Sequence, residues 1–92
     1  MMERMAQQPL AIRIKGAEVL VQVGGVYCHY KDPHKRYRVL GIGLLEATQE
    51  PCVIYQAEYG DQLVWVRALS VWLERVQTEQ GMVPRFRQEY SQ

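Results

Sequence analysis

Along most of the chain, apolar and polar positions alternate with a period near two, and Gly, Pro and Asp interrupt the alternation every few residues. That pattern predicts short strands joined by tight turns. Val26–Tyr30 alternates and is rich in aromatics, as strands are. Lys31-Asp-Pro-His-Lys35 is turn chemistry: Pro33 fixes φ, and the Asp32 side chain bonds nearby backbone. Arg36–Leu45 reads as a long second strand, and its interior Gly41 and Gly43 predict a bulge or a sharp bend. After the polar loop Glu46–Pro51, Cys52–Tyr59 is a third strand, Gly60-Asp61 a hairpin turn and Gln62–Ala68 a fourth strand. The period changes at Leu69–Leu73, which fits one helical or 3₁₀ turn with Ser70 near its start. Arg75–Gln77 is extended again, Thr78–Gly81 turns, and Met82–Phe86 closes the series.

These elements describe an all-β domain, a small five-stranded SH3-like barrel with one short helical turn before the closing strand. A single domain over 10–90 is expected, behind a flexible N-terminus over 1–9 that ends at Pro9. Between them the pattern is less regular. Ala11–Ile14 and Ala17–Val23 read as strands around a Lys15-Gly16 turn, with a short helix through Val19–Val21 as the competing reading. An extended first segment of this kind offers a strand to a neighbour's edge, so a homodimer is one expectation.

Composition narrows the function classes. At 92 residues there is room for one core and a shallow surface site, with little room for a deep enzyme cleft. Eleven Lys and Arg face ten Asp and Glu, so the basic excess usual in a dedicated nucleic-acid binder is missing. The first residues hold no apolar core of signal-peptide length, and no stretch reaches the roughly 20 apolar residues of a membrane span. A cytoplasmic protein with no membrane contact is expected, and Cys28 and Cys52 are then reduced, buried thiols.

Metal chemistry has weak support. Cys28, His29, His34 and Cys52 are enough ligands for zinc, but Cys28 and His29 are adjacent and face opposite sides of a strand, and no Cys-x-x-Cys pair occurs. Neither cysteine lies at a helix N-terminus, where a thiol is activated. No metal, cofactor or catalytic residue is assigned on these grounds.

Several segments together resemble a bacterial family of unknown function, the domain-of-unknown-function family numbered 1653. The resemblance is carried by His29-Tyr30-Lys31, Tyr37-Arg-Val-Leu-Gly41, Thr48-Gln-Glu50, Val53-Ile-Tyr55-Gln-Ala57, Tyr59-Gly60, Trp65-Val-Arg67, Leu73-Glu74 and Val83-Pro-Arg-Phe86, in order, within 25–86. It implies an SH3-like barrel and no established activity. Leu44-Leu45 stands where the family tends to carry an Arg-His pair, and Ala68 where it tends to carry Pro. Any chemistry resting on that His is lost in this chain.

What remains is a set of aromatic and basic residues. Small barrels bind peptides or nucleic acid through aromatics at strand ends and loops. His29, Tyr59 and Arg67, with Tyr27 and the basic hairpin residues Lys31, Lys35, Arg36 and Arg38, are the candidate binding residues. Tyr55, Trp65 and Trp72 are assigned to the core. Arg67 shares a strand face with Trp65, so it is expected to stack on an aromatic or to pair with Glu58 or Glu74. The expected function is a non-enzymatic binding module for a protein or peptide partner. One alternative is a nucleic-acid-associated module clamping phosphate with the basic hairpin. The other is a small enzyme or ligand carrier around His29 and Cys28.

Overall fold

A computed structural model describes residues 9–90. The expected flexible segment 1–9 therefore lies almost wholly outside the described residues. The element order is α1 (Leu10–Leu20), β1 (Val26–His29), β2 (Asp32–Leu44), β3 (Pro51–Ala57), β4 (Val64–Ala68), α2 (Leu69–Trp72), β5 (Arg75–Thr78), β6 (Gly81–Pro84) and β7 (Phe86–Glu89). The protein is mostly β and antiparallel.

The first segment overturns the strand expectation. Residues 10–20 form one continuous α-helix, running straight through Lys15-Gly16. Pro9 stands at the N-cap, and its carbonyl accepts from the Ile12 amide at 3.0 Å. Ala17 and Val21, four residues apart and so on one helical face, are what the segment buries. Ile14 is half-buried, and Leu10, Ile12, Val19 and Leu20 are exposed. The apolar residues are thus spread around the helix, and no helical period stands out in the sequence. At its end Gly24 adopts φ +85°, a backbone region that costs other residues energy, and its amide donates to the Val39 carbonyl at 2.8 Å. Val21 is fully buried within the core. Val21→Ala should therefore cost about 1.5–2 kcal/mol in a guanidinium melt, at roughly 0.8 kcal/mol per buried CH₂. An unchanged midpoint would mean that α1 docks without contributing to the core.

Five strands form one sheet in the order β4-β3-β2-β1-β7, and β5 and β6 form a separate two-stranded ribbon. This corrects the five-stranded barrel expectation in two respects. There are seven described strands, because Arg75–Thr78 pairs as a strand of its own and the closing stretch splits at Arg85 into β6 and β7. The sheet also does not close: β4 and β7 are its two edges and do not pair with each other among the described residues.

The bend expected from Gly41 and Gly43 is present as a register shift. Val39 pairs with Tyr55 and Gly41 with Ile54, leaving Leu40 as the extra residue of a bulge. The expected turn at Lys31–Lys35 takes another form. β2 starts at Asp32, which pairs with His29, while Arg36 pairs with Cys28, so residues 33–35 loop out of the ladder. The helical turn falls where expected, at Leu69–Trp72.

The core gathers Val21, Tyr27, Val39, Val53, Tyr55, Trp72 and Phe86. Its centre is aromatic: Trp72 stacks on Phe86 at 3.7 Å between centroids and 4° between planes. Tyr27 and Tyr55 meet Trp72 edge-on at 5.3 Å and 5.0 Å. Cys28 and Cys52 are buried and unbridged, as expected. No helix among the described residues is long and apolar enough to cross a membrane.

Candidate functional site

Strand pairing decides which aromatic residues meet. Tyr55 lies opposite Trp65 and Val53 opposite Arg67, so Trp65 and Arg67 share one face of the β3–β4 pair. On the other side of β3, Val39 pairs with Tyr55, which puts Tyr37 two residues along on that same face. Tyr37, Tyr55, Tyr59, Trp65 and Arg67 consequently line one pocket of about 240 Å³. Trp65, assigned to the core from sequence, stands half exposed at its rim because β4 is an edge strand.

Arg67 is the distinctive group. Its Nε donates to the Tyr55 hydroxyl at 3.3 Å, and its guanidinium carbon sits 5.3 Å from the Phe86 ring centroid. The stacking expectation holds, whereas the ion-pair expectation does not. Glu58 is taken by Arg38 at 2.8 Å and Glu74 by Arg85 at 2.7 Å. Among the described residues no carboxylate meets Arg67.

The tyrosines complete the polar lining. The Tyr37 and Tyr59 hydroxyls are 2.6 Å apart, and either can donate to the other. The accepting hydroxyl then keeps its own proton for a ligand oxygen. Burial first, then the bond to Tyr59, push the Tyr37 phenol well above its ordinary range, so Tyr37 keeps its proton. Lys35 adds positive charge, its Nζ lying 5.2 Å from the Tyr59 ring centroid.

His29 lies beside this pocket without lining it. Its ring meets Phe86 edge-on at 5.1 Å, so Phe86 separates it from Arg67, and its Nδ1 accepts from the Lys31 amide at 3.2 Å. Burial, then the charges of Arg67, Arg85 and Lys31, hold the imidazole below its ordinary pKa of 6.5. A proton NMR titration should therefore give His29 a midpoint under 6.5. Arg67→Gln should raise that midpoint without restoring it fully, since burial is the larger cause. The unfolded chain takes up this proton first as pH falls. The stability His29 contributes is thus complete above about pH 6.5, is lost on acidification to its folded-state pKa, and is flat below. A midpoint unmoved by the substitution would place Arg67 too far away to act on His29.

A larger cavity of about 560 Å³ opens between the β1–β2 turn and the β5–β6 hairpin, bordered by Cys28, His29, Lys31 and Arg87 among others. Cys28 and His29 therefore share a cavity. The thiol is nonetheless occupied, with Arg87 Nη2 at 3.3 Å and Glu89 Oε2 at 3.8 Å from its sulfur.

The remaining candidates take structural parts. Tyr27 is buried, and its hydroxyl accepts from the Gln22 amide at 3.0 Å. Arg36 pairs with Glu89 at 3.0 Å, and Arg38, besides Glu58, donates to the Gly24 carbonyl at 3.0 Å. Lys35 is 4.0 Å from Asp32. The structure thus joins Tyr59 and Arg67 in one pocket and His29 and Lys31 in another, and leaves Tyr27, Lys35, Arg36 and Arg38 outside both. From the sequence, Tyr55 and Trp65 read as core and Tyr37 only as part of a family motif, so none of the three was placed in the site. The pairing of Cys52–Tyr59 with Gln62–Ala68 across a Gly60 turn was the signal for Tyr55 opposite Trp65. Nothing in the sequence pointed to Phe86 as the wall between His29 and Arg67.

Fold and pocket define a class: a small antiparallel β domain with an aromatic pocket built around one arginine. The chain belongs to the family described as protein of unknown function (DUF1653), which matches residues 25–88. It is also similar to the crystal structure of a member of that family from Bordetella bronchiseptica. The identity is 37%, the TM-score 0.60, and the match covers 68% of this chain and 81% of that one. No curated protein matches this chain. Helix α1 precedes the family match.

Proposed function

We propose that this protein is a non-enzymatic binding module that takes an acidic group of a protein or peptide partner at Arg67. One observation carries the reading. A partly buried guanidinium stands in a tyrosine-lined pocket with a single hydrogen bond, and no carboxylate meets it among the described residues. Such a group keeps donors free for a ligand oxygen, and the aromatic walls suit a planar or apolar neighbour of the acid. The phosphate-clamp alternative draws less support, because Arg36 and Arg38 would first have to leave Glu89 and Glu58. The reading of the fold as an SH3-like arrangement, opened rather than closed, rests on the bulged β2 and the helical turn ahead of the last strands. Two free, buried thiols suit a reducing cytoplasmic setting.

N-acetyl-tyrosine, with one ring and one carboxylate, tests the pocket, and N-acetyl-tyrosinamide is its uncharged control. Saturating NMR shifts at the Arg67 Nε–H and Trp65 indole N–H are expected with the acid and not with the amide. Equal responses, or none, would refute the acidic-group reading.

A further inference from the structure

The rim of the pocket is also a sheet edge. Strand β4 pairs with β3 on one side only. The Ala57 amide donates to the Leu63 carbonyl at 3.0 Å, which sets the alternation of the ladder. Tyr55–Trp65 and Val53–Arg67 are therefore the hydrogen-bonded pairs, and the amides and carbonyls of Val64 and Val66 point to the open side. Among the described residues these groups have no strand partner.

Edge strands are normally guarded by a charge, a proline or a bulge. Strand β4, Val64–Ala68, has no proline, and its one charge, Arg67, lies on the face turned to the pocket. Leu63, Val64, Trp65 and Val66 are instead 49–62% exposed. The two faces of the strand differ. Trp65 and Arg67 look onto the tyrosine pocket, whereas Val64 and Val66 lie on the opposite face beside Gln56 and Ile54.

We propose that β4 receives an extended acidic peptide of a partner protein as a sixth strand, its carboxylate side chain meeting Arg67 and its apolar side chains covering Val64 and Val66. The occupant follows from charge complementarity: the pocket carries Arg67, which no acid meets among the described residues, while the opposite face near the edge presents Val64 and Val66. Backbone bonds to Val64 and Val66 supply affinity, and alternate side chains supply specificity, as in other cases of strand addition. The proposal rests on the pocket reading above.

The probe is the fluorescein-labelled hexapeptide Thr-Glu-Val-Tyr-Val-Thr with a C-terminal amide, measured by anisotropy on the full chain. Binding should slow hydrogen exchange at the Val64 and Val66 amides. Val66→Pro removes a donor that faces only the open edge. It should weaken the hexapeptide about tenfold or more, the scale of losing one or two such bonds, while N-acetyl-tyrosine binds unchanged. Methylating the backbone nitrogens of the peptide's two valines gives the same test without altering the protein, and a similar loss is expected. If neither change weakens the hexapeptide, the edge is not used and the pocket reading alone stands. If neither probe binds the wild type, the pocket reading fails and the strand addition fails with it. Sedimentation showing a dimer that Val66→Pro dissolves would assign the edge to a second copy and overturn the proposal.

Discussion

Replacing Arg67 with Gln is expected to abolish the response to N-acetyl-tyrosine while leaving stability within about 1 kcal/mol of wild type. Removing one member of a buried, hydrogen-bonded charge pair costs about 2–5 kcal/mol of affinity, a loss of about thirtyfold or more. The folded protein loses much less. Arg67 has no ion pair among the described residues, its contact with Phe86 is worth about 0.5–1 kcal/mol, and Gln still reaches the Tyr55 hydroxyl. Calorimetric binding and a guanidinium melt on the same variant separate the two effects. A stability loss of several kcal/mol with binding intact would make Arg67 a structural residue and refute the site.

The largest stability effect is expected at Trp72. Trp72→Ala removes the ring that stacks on Phe86 and receives Tyr27 and Tyr55 edge-on, at a position only 3% exposed. Large-to-small changes of this kind cost about 3–5 kcal/mol. A domain of 92 residues has about 5–14 kcal/mol in total, at about 0.05–0.15 kcal/mol per residue. The variant should be marginally folded, with its denaturation midpoint displaced far below that of wild type. Trp65→Ala is the matched control: Trp65 is 49% exposed at an edge, so a loss of about 1 kcal/mol or less is expected. Equal losses at the two tryptophans would mean that the Trp72–Phe86 stack does not hold the core together.

The contrast between these tryptophans shows how far the sequence reaches. Both sit in apolar surroundings, Trp65 in an alternating run and Trp72 in a helical turn, and both were assigned to the core. What separates them is strand order: β4 is an edge and α2 lies against β3. Arg67 is a parallel case. Its sequence neighbours allowed a stack or an ion pair, and only the placement of Arg38 and Arg85 beside the two candidate glutamates settled which.

Residues 26–83 spell out their strands by alternation and their turns by Gly, Pro and Asp, because a strand's two faces and a turn's dihedral angles are local requirements. The bulge at Leu40 and the helical turn at Leu69–Trp72 were legible for the same reason. Helix α1 was not, since it buries little beyond Ala17 and the adjoining Val21, and its exposed Ile12, Val19 and Leu20 blur the face that Ile14 and Ala17 share. Closure of the sheet was not legible either: whether two edges meet depends on accumulated twist and bulge geometry, which no local pattern encodes. Strands β1 to β4, the family and an aromatic-arginine inventory were legible from the residues alone. The tertiary structure alone decided which of those side chains share a pocket, because register across β2, β3 and β4 brings together residues separated by 30 positions from Tyr37 to Arg67.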